Sequence, residues 1–482
     1  MYFDSIDFAI FFPVVFVLYW LLKNKKLYYQ NALIVVSSYF FYGCWDWRFL
    51  ILIFMSTVVD YVVARYLDTV QNEKSRKFLL IVSILFNLSL LGFFKYFNFF
   101  QDNFIAVFSL FGQEFTPLSL NVILPVGISF YTFQTLSYTI DVYRKDVIAT
   151  RDFVSFSAYV SFFPQLVVGP IERSTHLLPQ FYTKRIFDRS RAVDGLRQIL
   201  WGLVKKTVIA DNCAYFADVI FANGDGQSGS TIVLGVFFYT IQVYGDLSGY
   251  SDMAIGMAKL FGFDLRPNFR FPYFARDIAE FWRSWHMSLT SWFRDYLYIP
   301  LGGSRGGILK NLRNTFIIFI VSGFWHGANW TFIVWGALNA FYFIPLLIMN
   351  KNRRHIDIVA SNKLLPTFKE LRQMVTTFCL FTFSMLFFRA KDLHEVFIWI
   401  NSVFSKSLIL EPHYLDRDKS VIILLVVCLF FIIEWLGREN KYAIEKLGLK
   451  WPKAIRHLFY YLLTMLIIYY SGKNQEFIYF QF

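Results

Sequence analysis

Long, solidly apolar segments recur along this 482-residue chain. In its first and last thirds they lie near residues 6–22, 31–46, 49–67, 78–98, 121–140, 374–388, 396–410, 420–436 and 456–470. A helix needs about 20 such residues to cross the ~30 Å apolar core of a bilayer. Because 56% of the residues are hydrophobic and only 17% are charged, a soluble fold of this size could not bury them. The segments predict an all-α polytopic membrane protein, since a transmembrane barrel would show alternating segments of ~10 residues.

The positive charges lie mostly in the short connectors between these segments. The formal net charge is +13, and basic connectors at 23–26, 68–77 and 144–151 alternate with nearly neutral or acidic ones. Basic connectors mark the cytoplasmic side of a membrane protein. We therefore predict that these three connectors are cytoplasmic and that the amino terminus is outside. Lys and Arg residues in such connectors anchor a protein at the membrane surface, which accounts for the positive net charge. We therefore expect no nucleic-acid binding.

The region 152–310 is less regular than the segments around it. Pro164, Gly169, Pro170 and Pro179 interrupt what would otherwise be helix. Broken helices at membrane depth are tolerated where they are buried in protein or line a cavity. We interpret this region as the wall of such a cavity, built from re-entrant or interfacial helices as well as true spans. Asp246 and Asp252, which bracket Gly249-Tyr250 between apolar pieces, are expected either to hold a broken backbone or to orient a polar substrate.

One histidine lies inside an apolar segment that begins near Phe316 and continues to about Met349. His326 stands between Trp325 and Gly327, and the segment contains no Lys, Arg, Asp or Glu. An ionisable residue at membrane depth is a functional candidate, and a neutral imidazole can accept a proton from a hydroxyl. An interhelical hydrogen bond is the alternative, and on this stretch alone the two interpretations are equally weighted. Asn329 could play the same packing role, whereas Gly323 and Gly327 leave room for a substrate or a second helix.

A second histidine lies in the amphipathic stretch 276–300. On a period of 3.6 residues one apolar stripe is formed by Ile278, Phe281, Trp285, Leu289, Trp292 and Tyr296. The stripe predicts a helix that lies in the membrane interface rather than spanning the bilayer. His286 falls on the margin of the stripe, so the residues by themselves favour a surface or interfacial histidine.

Several longer motifs give a resemblance that covers most of the chain. They are Gly169-Pro170-Ile171-Glu172-Arg173, residues 244–252, Phe281-Trp282-Arg283-Ser284-Trp285-His286, residues 292–303, Phe324-Trp325-His326-Gly327-Ala328 and the ending Phe477-Ile478-Tyr479-Phe480-Gln481-Phe482. With these motifs the chain resembles the membrane-bound O-acyltransferase family, in particular its bacterial polysaccharide branch, typified by alginate O-acetyltransferase. The resemblance implies a helical bundle with broken, re-entrant and interfacial helices around a central cavity or tunnel.

The resemblance also implies an activity and a set of functional residues. We expect acetyl transfer from a cytoplasmic thioester, acetyl-CoA, to hydroxyls of an extracytoplasmic polysaccharide or peptidoglycan, through an extracytoplasmic acetyltransferase partner, at the bacterial inner membrane. The expected catalytic residues are His326 and His286, and the expected substrate-binding residues are Trp325, Asn329, Trp285, Arg283 and Arg305. We expect one membrane-embedded acyltransferase domain over 1–482, with regular spans at 1–150, the catalytic region at 151–345 and further spans at 346–482.

Other features of the sequence are less specific. The glycine-rich loop 302–307 carries Arg305, which with Lys310 and Arg313 would meet the phosphates of coenzyme A or lipid headgroups. The four cysteines are scattered without metal-ligand spacing, so we expect no metal site and no tightly bound cofactor. A membrane transporter and a non-catalytic scaffold subunit of an export complex are the alternative functions. Transporters commonly show repeat symmetry, which this sequence lacks.

Overall fold

The computed structural model describes residues 1–113, 115, 116, 118, 123–222 and 226–471. The expected motif Phe477–Phe482 lies outside the described residues. Every regular element within the described ranges is helical, which confirms the all-α prediction. The chain divides into two compact units, Met1–Ala192 with Met257–Arg266, and Val193–Gly256 with Pro267–Phe482. The expected single domain and its three internal divisions stay a prediction.

The first unit contains the helices that the regular apolar segments predict, together with shorter helices between and after them. They are α1 (Ile6–Leu21), α2 (Leu27–Asp46), α3 (Leu50–Thr69), α4 (Glu73–Leu91), α5 (Phe97–Ser109), α6 (Ile128–Arg144), α7 (Phe153–Ser161), α8 (Phe163–Leu166) and α9 (Ser174–Leu177). Asn72 and Asp152 accept backbone N–H groups at the starts of α4 and α7, which satisfies donors that a helix start leaves free. The segment predicted at 121–140 becomes α6, which begins later because Gly127 turns the chain at φ 75°.

The second unit is built from longer and more interrupted helices, and the division from the first unit falls inside two of them, α10 and α12. The helices are α10 (Arg189–Leu203), α11 (Asp211–Ala222), α12 (Gly229–Leu260), α13 (Ile278–Ser284), α14 (Met287–Phe293), α15 (Ile308–His326), α16 (Trp330–Ile348), α17 (Phe368–Arg389), α18 (Leu393–Val403), α19 (Arg417–Gly437) and α20 (Lys453–Tyr470). Turns of π-helix join α10 to α11 and follow α14.

Seven helical segments of the described chain are long and apolar enough to cross a membrane. They are Ile6–Asn24, Leu27–Thr69, Glu73–Ser109, Gly229–Leu260, Trp330–Ile348, Phe368–Arg389 and Arg417–Gly437. Their number and composition confirm the prediction of a multi-pass membrane protein.

Side-chain contacts in the first unit join residues in or near the three basic connectors. Asn31, just after the first connector, donates to Ser155 at 2.9 Å, and Tyr61 donates to the carbonyl of Arg151 at 2.9 Å. Arg76 donates to the carbonyl of Tyr143 at 2.8 Å. These contacts agree with one common side for residues 23–26, 68–77 and 144–151. That this side is the cytoplasm stays a prediction.

The region around Gly249 is not the broken backbone that the sequence suggests. α12 runs through it as one uninterrupted helix of 32 residues. Gly245 and Gly249 let the end of α10 and the π-helical segment after it approach α12. A Cβ at Gly245 would lie within 3 Å of the carbonyl of Lys205, and a Cβ at Gly249 within 3 Å of the carbonyl of Gly202. The expectation that Asp246 and Asp252 hold a broken backbone is therefore wrong. Small residues at helix crossings, not a chain break, account for the glycines.

Candidate active site

His326 is the last residue of α15, and a tight turn follows it. The extended backbone of Gly327 and the capping residue Asn329 lead directly into α16. The apolar segment from Phe316 to Met349 is thus two packed helices rather than one continuous span. Gly323 makes this possible, since a Cβ there would overlap the backbone carbonyl of Phe332. The prediction that glycine leaves room for a second helix is confirmed at Gly323.

Aromatic rings surround the His326 imidazole. Its ring centroid lies 5.0 Å from Trp325, 5.3 Å from Trp335 and 5.3 Å from Phe388, and each pair is close to perpendicular. His326 itself is only 5% exposed. The imidazole is therefore held in place by packing on several sides, as an oriented proton acceptor requires.

His286 lies at a break between α13 and α14. The single amphipathic helix predicted over 276–300 is wrong, because the backbone of Ser284–Met287 bonds instead to the segment 268–270. Arg270 N donates to the carbonyl of Ser284 at 2.9 Å, and Met287 N donates to the carbonyl of Asn268 at 2.8 Å. The backbone of His286 is left-handed with φ 40°, a conformation that a side chain with a Cβ rarely adopts. Strain of this kind, of order 1–3 kcal/mol, tends to accompany functional sites.

The His286 side chain is buried, so the surface position that its helical margin suggested is wrong. It is 3% exposed, and its ring centroid lies 6.0 Å from Phe269 and 6.2 Å from Trp325. Burial lowers the pKa of His286 to about 4, because the surroundings penalise the imidazolium. His286 is therefore neutral near pH 7. Trp325 contacts both imidazoles, and the structure brings these three predicted residues together.

Trp285 belongs to an aromatic cluster beside this pair. Its ring stacks on Phe281 at 5.4 Å between centroids and contacts Phe269 at 5.1 Å and Phe381 at 5.2 Å. Tyr273 lies at 6.0 Å on a nearly parallel plane. Although the helix is broken, the residues of the apolar stripe from Ile278 to Trp292 are buried inside the protein. The cluster fixes the backbone that carries His286.

The other predicted substrate-binding residues lie in structural contacts or on the surface. Asn329 accepts the N–H of Thr331 at 3.0 Å and donates to the carbonyl of Lys391 at 2.7 Å. Arg283 donates to the carbonyls of Asn352 and His355, at 2.7 and 2.6 Å. Arg305 is exposed in the glycine-rich loop. A substrate role for Asn329, Arg283 and Arg305 stays a prediction.

A cavity of about 280 Å³ lies beside α13. Its lining includes Arg270, Arg283, Ser284, Met287, Asp357 and Arg438. Arg438 donates to the carbonyls of Val359 and Ala360, which holds the connector between α16 and α17 over the cavity. Within the described ranges the Arg270 guanidinium has no hydrogen bond or ion pair. Ser284 and Met287 place the cavity next to the segment that carries His286.

Two buried ion-pair groups in the second unit were not found from the sequence. Lys205 Nζ lies 3.0 Å from Asp252 and 3.3 Å from Glu434. Lys206 Nζ lies 2.7 Å from Asp211 and 2.9 Å from Asp246. The sequence signal is a lysine pair together with isolated acids in other apolar stretches, and it does not specify which acid pairs with which lysine. These contacts tie the π-helical segment to α11, α12 and α19.

Asn268 is a further residue that sequence reasoning missed. Its side chain accepts from the N–H of Ser288 at 3.2 Å and from the Ser288 hydroxyl at 2.9 Å, and it donates to Ser251 at 3.1 Å. It therefore holds the start of α14, directly after His286, against α12. Among the residues that the structure describes, no cluster of three His, Cys, Asp or Glu side chains suits a metal ion.

The second unit thus has two buried imidazoles, and both contact the indole ring of Trp325. Buried neutral imidazoles in a helical membrane protein are suited to proton transfer from a hydroxyl. Comparison with known proteins agrees with that class. The sequence profile of the membrane-bound O-acyltransferase family matches residues 143–388, and the chain belongs to this family. It is an enzyme of the O-acyltransferase class, acting as a multi-pass membrane protein.

Individual relatives cover most of the chain. It is 39% identical to the probable alginate O-acetylase AlgI of Pseudomonas aeruginosa, over 82% of this chain and 73% of the relative. It is 32% identical to the peptidoglycan O-acetyltransferase of Helicobacter pylori, over 98% of this chain and 95% of the relative. It is 25% identical to the teichoic acid D-alanyltransferase of Bacillus subtilis, over 57% of this chain and 71% of the relative. These proteins are similar to the chain, and the family and general activity follow from them.

Proposed function

We propose that this protein transfers an acetyl group from cytoplasmic acetyl-CoA towards hydroxyls of an extracytoplasmic polysaccharide or peptidoglycan, at the bacterial inner membrane. The observation that carries the proposal is the His326 imidazole, buried among Trp325, Trp335 and Phe388 and one ring away from His286. Relatives named for acetylation of alginate and of peptidoglycan support acetyl as the acyl group and a glycan as the acceptor.

In the proposed reaction His326 acts as the general base. The hydroxyl oxygen of the acceptor forms a bond to the acetyl carbonyl carbon, and the C–S bond of the thioester breaks. The hydroxyl proton passes to His326 and then to the departing thiolate, so that a free thiol leaves and the neutral imidazole is restored. Help of this kind is worth ~10²–10⁴ in rate. His286, neutral and strained, positions the donor on the other side of Trp325.

The hydroxyl that reacts first belongs either to the glycan or to a partner protein that completes the transfer outside. An extracytoplasmic acetyltransferase partner is what the resemblance to the alginate system implies. The basic connector 350–372, with six Lys and Arg residues against two acids, supports a cytoplasmic position for the cavity that it covers. A cytoplasmic thioester would then approach along the side of α13.

The decisive experiment replaces His326. We expect His326→Ala to remove most glycan acetylation in cells that make it at the wild-type level, because the described segment around it carries no other base. Mass spectrometry of surface glycans measures the loss, and a thermal melt in detergent shows whether the variant is folded. A stable His326→Ala protein that still acetylates would contradict the catalytic role. If that variant is unstable, His326→Gln, which keeps a polar side chain of similar size, takes its place.

The donor assignment has its own test at Arg270, which lines the cavity and is free of protein partners among the described residues. We expect Arg270→Gln to raise the KM for acetyl-CoA several-fold, because a guanidinium binds phosphate. Arg294, exposed and paired with Asp295 at 2.7 Å, provides the control Arg294→Gln. A donor that lacks phosphates, S-acetyl-N-acetylcysteamine, should be used equally by both variants. An unchanged KM for acetyl-CoA in Arg270→Gln would contradict this position for the donor.

A further inference from the structure

One face of α16 carries buried polar atoms that have no hydrogen-bond partner among the residues that the structure describes. Thr331, Trp335 and Asn339 follow one another at intervals of four residues, so they line the same side of the helix. Within the described part of the chain, no hydrogen-bond partner reaches Thr331 Oγ1, Trp335 Nε1 or Asn339 Oδ1. All three residues are at most 2% exposed. Buried polar atoms in folded proteins are nearly always bonded, so three along one face indicate a missing ligand.

A fourth such atom lies on α13. Trp282 Nε1 is buried and has no partner among the described residues, and its ring centroid is 5.7 Å from that of Trp335. Trp335 in turn lies 5.3 Å from His326. Two indole N–H donors therefore stand within one and two ring contacts of the proposed base. An indole nitrogen only donates, so both are suited to an acceptor atom such as a carbonyl oxygen.

Leaving a buried donor unsatisfied costs about 1–3 kcal/mol, and the cost is larger where water is scarce. A phenylalanine ring in place of Trp335 or Trp282 would avoid this cost, because it has no N–H group. The position of the two donors beside the base gives them a purpose, because acyl transfer develops negative charge on a carbonyl oxygen. Donors that already point at such an oxygen are often the largest single source of catalysis.

We propose that the polar face Thr331–Trp335–Asn339, together with Trp282, binds the reacting acyl thioester, and that the two indole N–H groups donate to its carbonyl oxygen. This inference rests on the proposed function, since it places the donor beside His326. As the acceptor oxygen bonds to the carbonyl carbon, the C=O π electrons move onto the oxygen that Trp335 and Trp282 hold. They return when the C–S bond breaks, and the proton follows the path through His326. Thr331 and Asn339 mark the continuation of the substrate path along α16.

The test is Trp335→Phe. This substitution keeps an aromatic six-membered ring and removes the pyrrole part of the indole with its N–H group. In membrane vesicles from cells that make the protein, thiol release from acetyl-CoA gives kcat and KM. We expect kcat to fall ~10²-fold, as for loss of one oxyanion donor, with a much smaller change in KM. Trp399→Phe is the matched control, because Trp399 is equally buried but its ring packs on Phe221, at 4.5 Å between centroids.

A structural role for Trp335 would instead lower the melting temperature and leave kcat of the folded fraction near that of Trp399→Phe, which would overturn the proposal. If Trp335→Phe does not fold, incorporation of 3-benzothienylalanine at position 335 keeps the bicyclic shape without the N–H group, and the same fall in kcat is expected. His326→Gln is measured in parallel. Activity retained in His326→Gln contradicts the proposed function, whereas activity retained only in the Trp335 variants contradicts this inference alone.

Discussion

At the residue scale, His286 combines burial with a backbone conformation that most residues avoid. Two hydrogen bonds to Asn268 hold its φ at 40°. The N–H of Met287 donates to the backbone carbonyl of Asn268, and the N–H of Ser288 donates to its side chain. As a replacement for His286, Asn is among the few amino acids that tolerate a left-handed backbone. The environment, rather than the side chain, therefore dictates the turn, and the imidazole is what a substitution would change.

We predict that His286→Gln and His286→Asn both fold and both lose most acetyl transfer. Gln keeps hydrogen-bonding capacity, and Asn relieves the left-handed backbone, so neither should be much less stable than wild type. Glycan acetylation and a thermal melt are measured on the same preparations. Near-normal acetylation by the Gln variant would leave His286 with packing alone.

A second histidine, in the first unit, makes stability depend on pH. Asp264 and Glu172 raise the pKa of His176 to about 9, and the Glu172 carboxylate lies 2.8 Å from Nδ1. Since the pKa in the folded protein is above the unfolded value of ~6.5, this contribution to stability is full below pH 6.5 and is lost as pH rises through about 9.

We therefore predict that the melting temperature in detergent falls between about pH 6.5 and 9, and that His176→Gln removes this part of the fall. Melts of wild type and variant across this range measure it. Parallel pH profiles for the two proteins would contradict the assignment to His176.

At the element scale, the α15–α16 hairpin sets the position of His326. Gly323 on α15 and Gly336 on α16 each allow the opposite backbone to approach, and a Cβ at Gly336 would overlap the carbonyl of Phe319. The two helices thus pack through small residues, as helices in membranes commonly do. Because His326 ends α15, any separation of the helices moves the base.

We predict that Gly336→Ala lowers both the melting temperature and acetyl transfer, because overpacking costs typically 1–3 kcal/mol. Gly92→Ala is the control, since a Cβ at Gly92 meets no atom of the described residues within 4 Å and Ala favours helix. Should Gly336→Ala melt at the same temperature as Gly92→Ala, the close approach of the helices would not be needed for stability.

At the scale of the whole molecule, the basic connectors predict which face meets the cytoplasm. In a variant without the four native cysteines, we predict that Ser75→Cys is not labelled by a membrane-impermeant maleimide added to intact cells, and that Gln113→Cys is labelled. Both residues are exposed, so accessibility within the protein does not distinguish them. Strong labelling at position 75 would reverse the topology, and with it the cytoplasmic donor side.

Apolar length and connector charge are local properties, and the sequence by itself determined what depends on them. The first spans, the apolar stripe of residues 278–292 and the membrane class all follow from runs and periods that a single segment carries. The family motifs around His286 and His326 likewise lie within short stretches, so the two histidines and Trp325 could be named without a fold.

Only the tertiary structure decided the features that depend on segments far apart in sequence. The break at His286 exists because residues 268–270 supply the backbone partners of 284–287, and no helical period of 276–300 reveals such a partner. Lys205 pairs with Asp252 and Glu434 because three helices meet there. The polar face of α16 is recognised only from the structure, in which Trp335 Nε1 has no hydrogen-bond partner among the described residues. Pairing, packing and unsatisfied polar atoms are properties of neighbours in space, and for that reason they could not be predicted from one sequence.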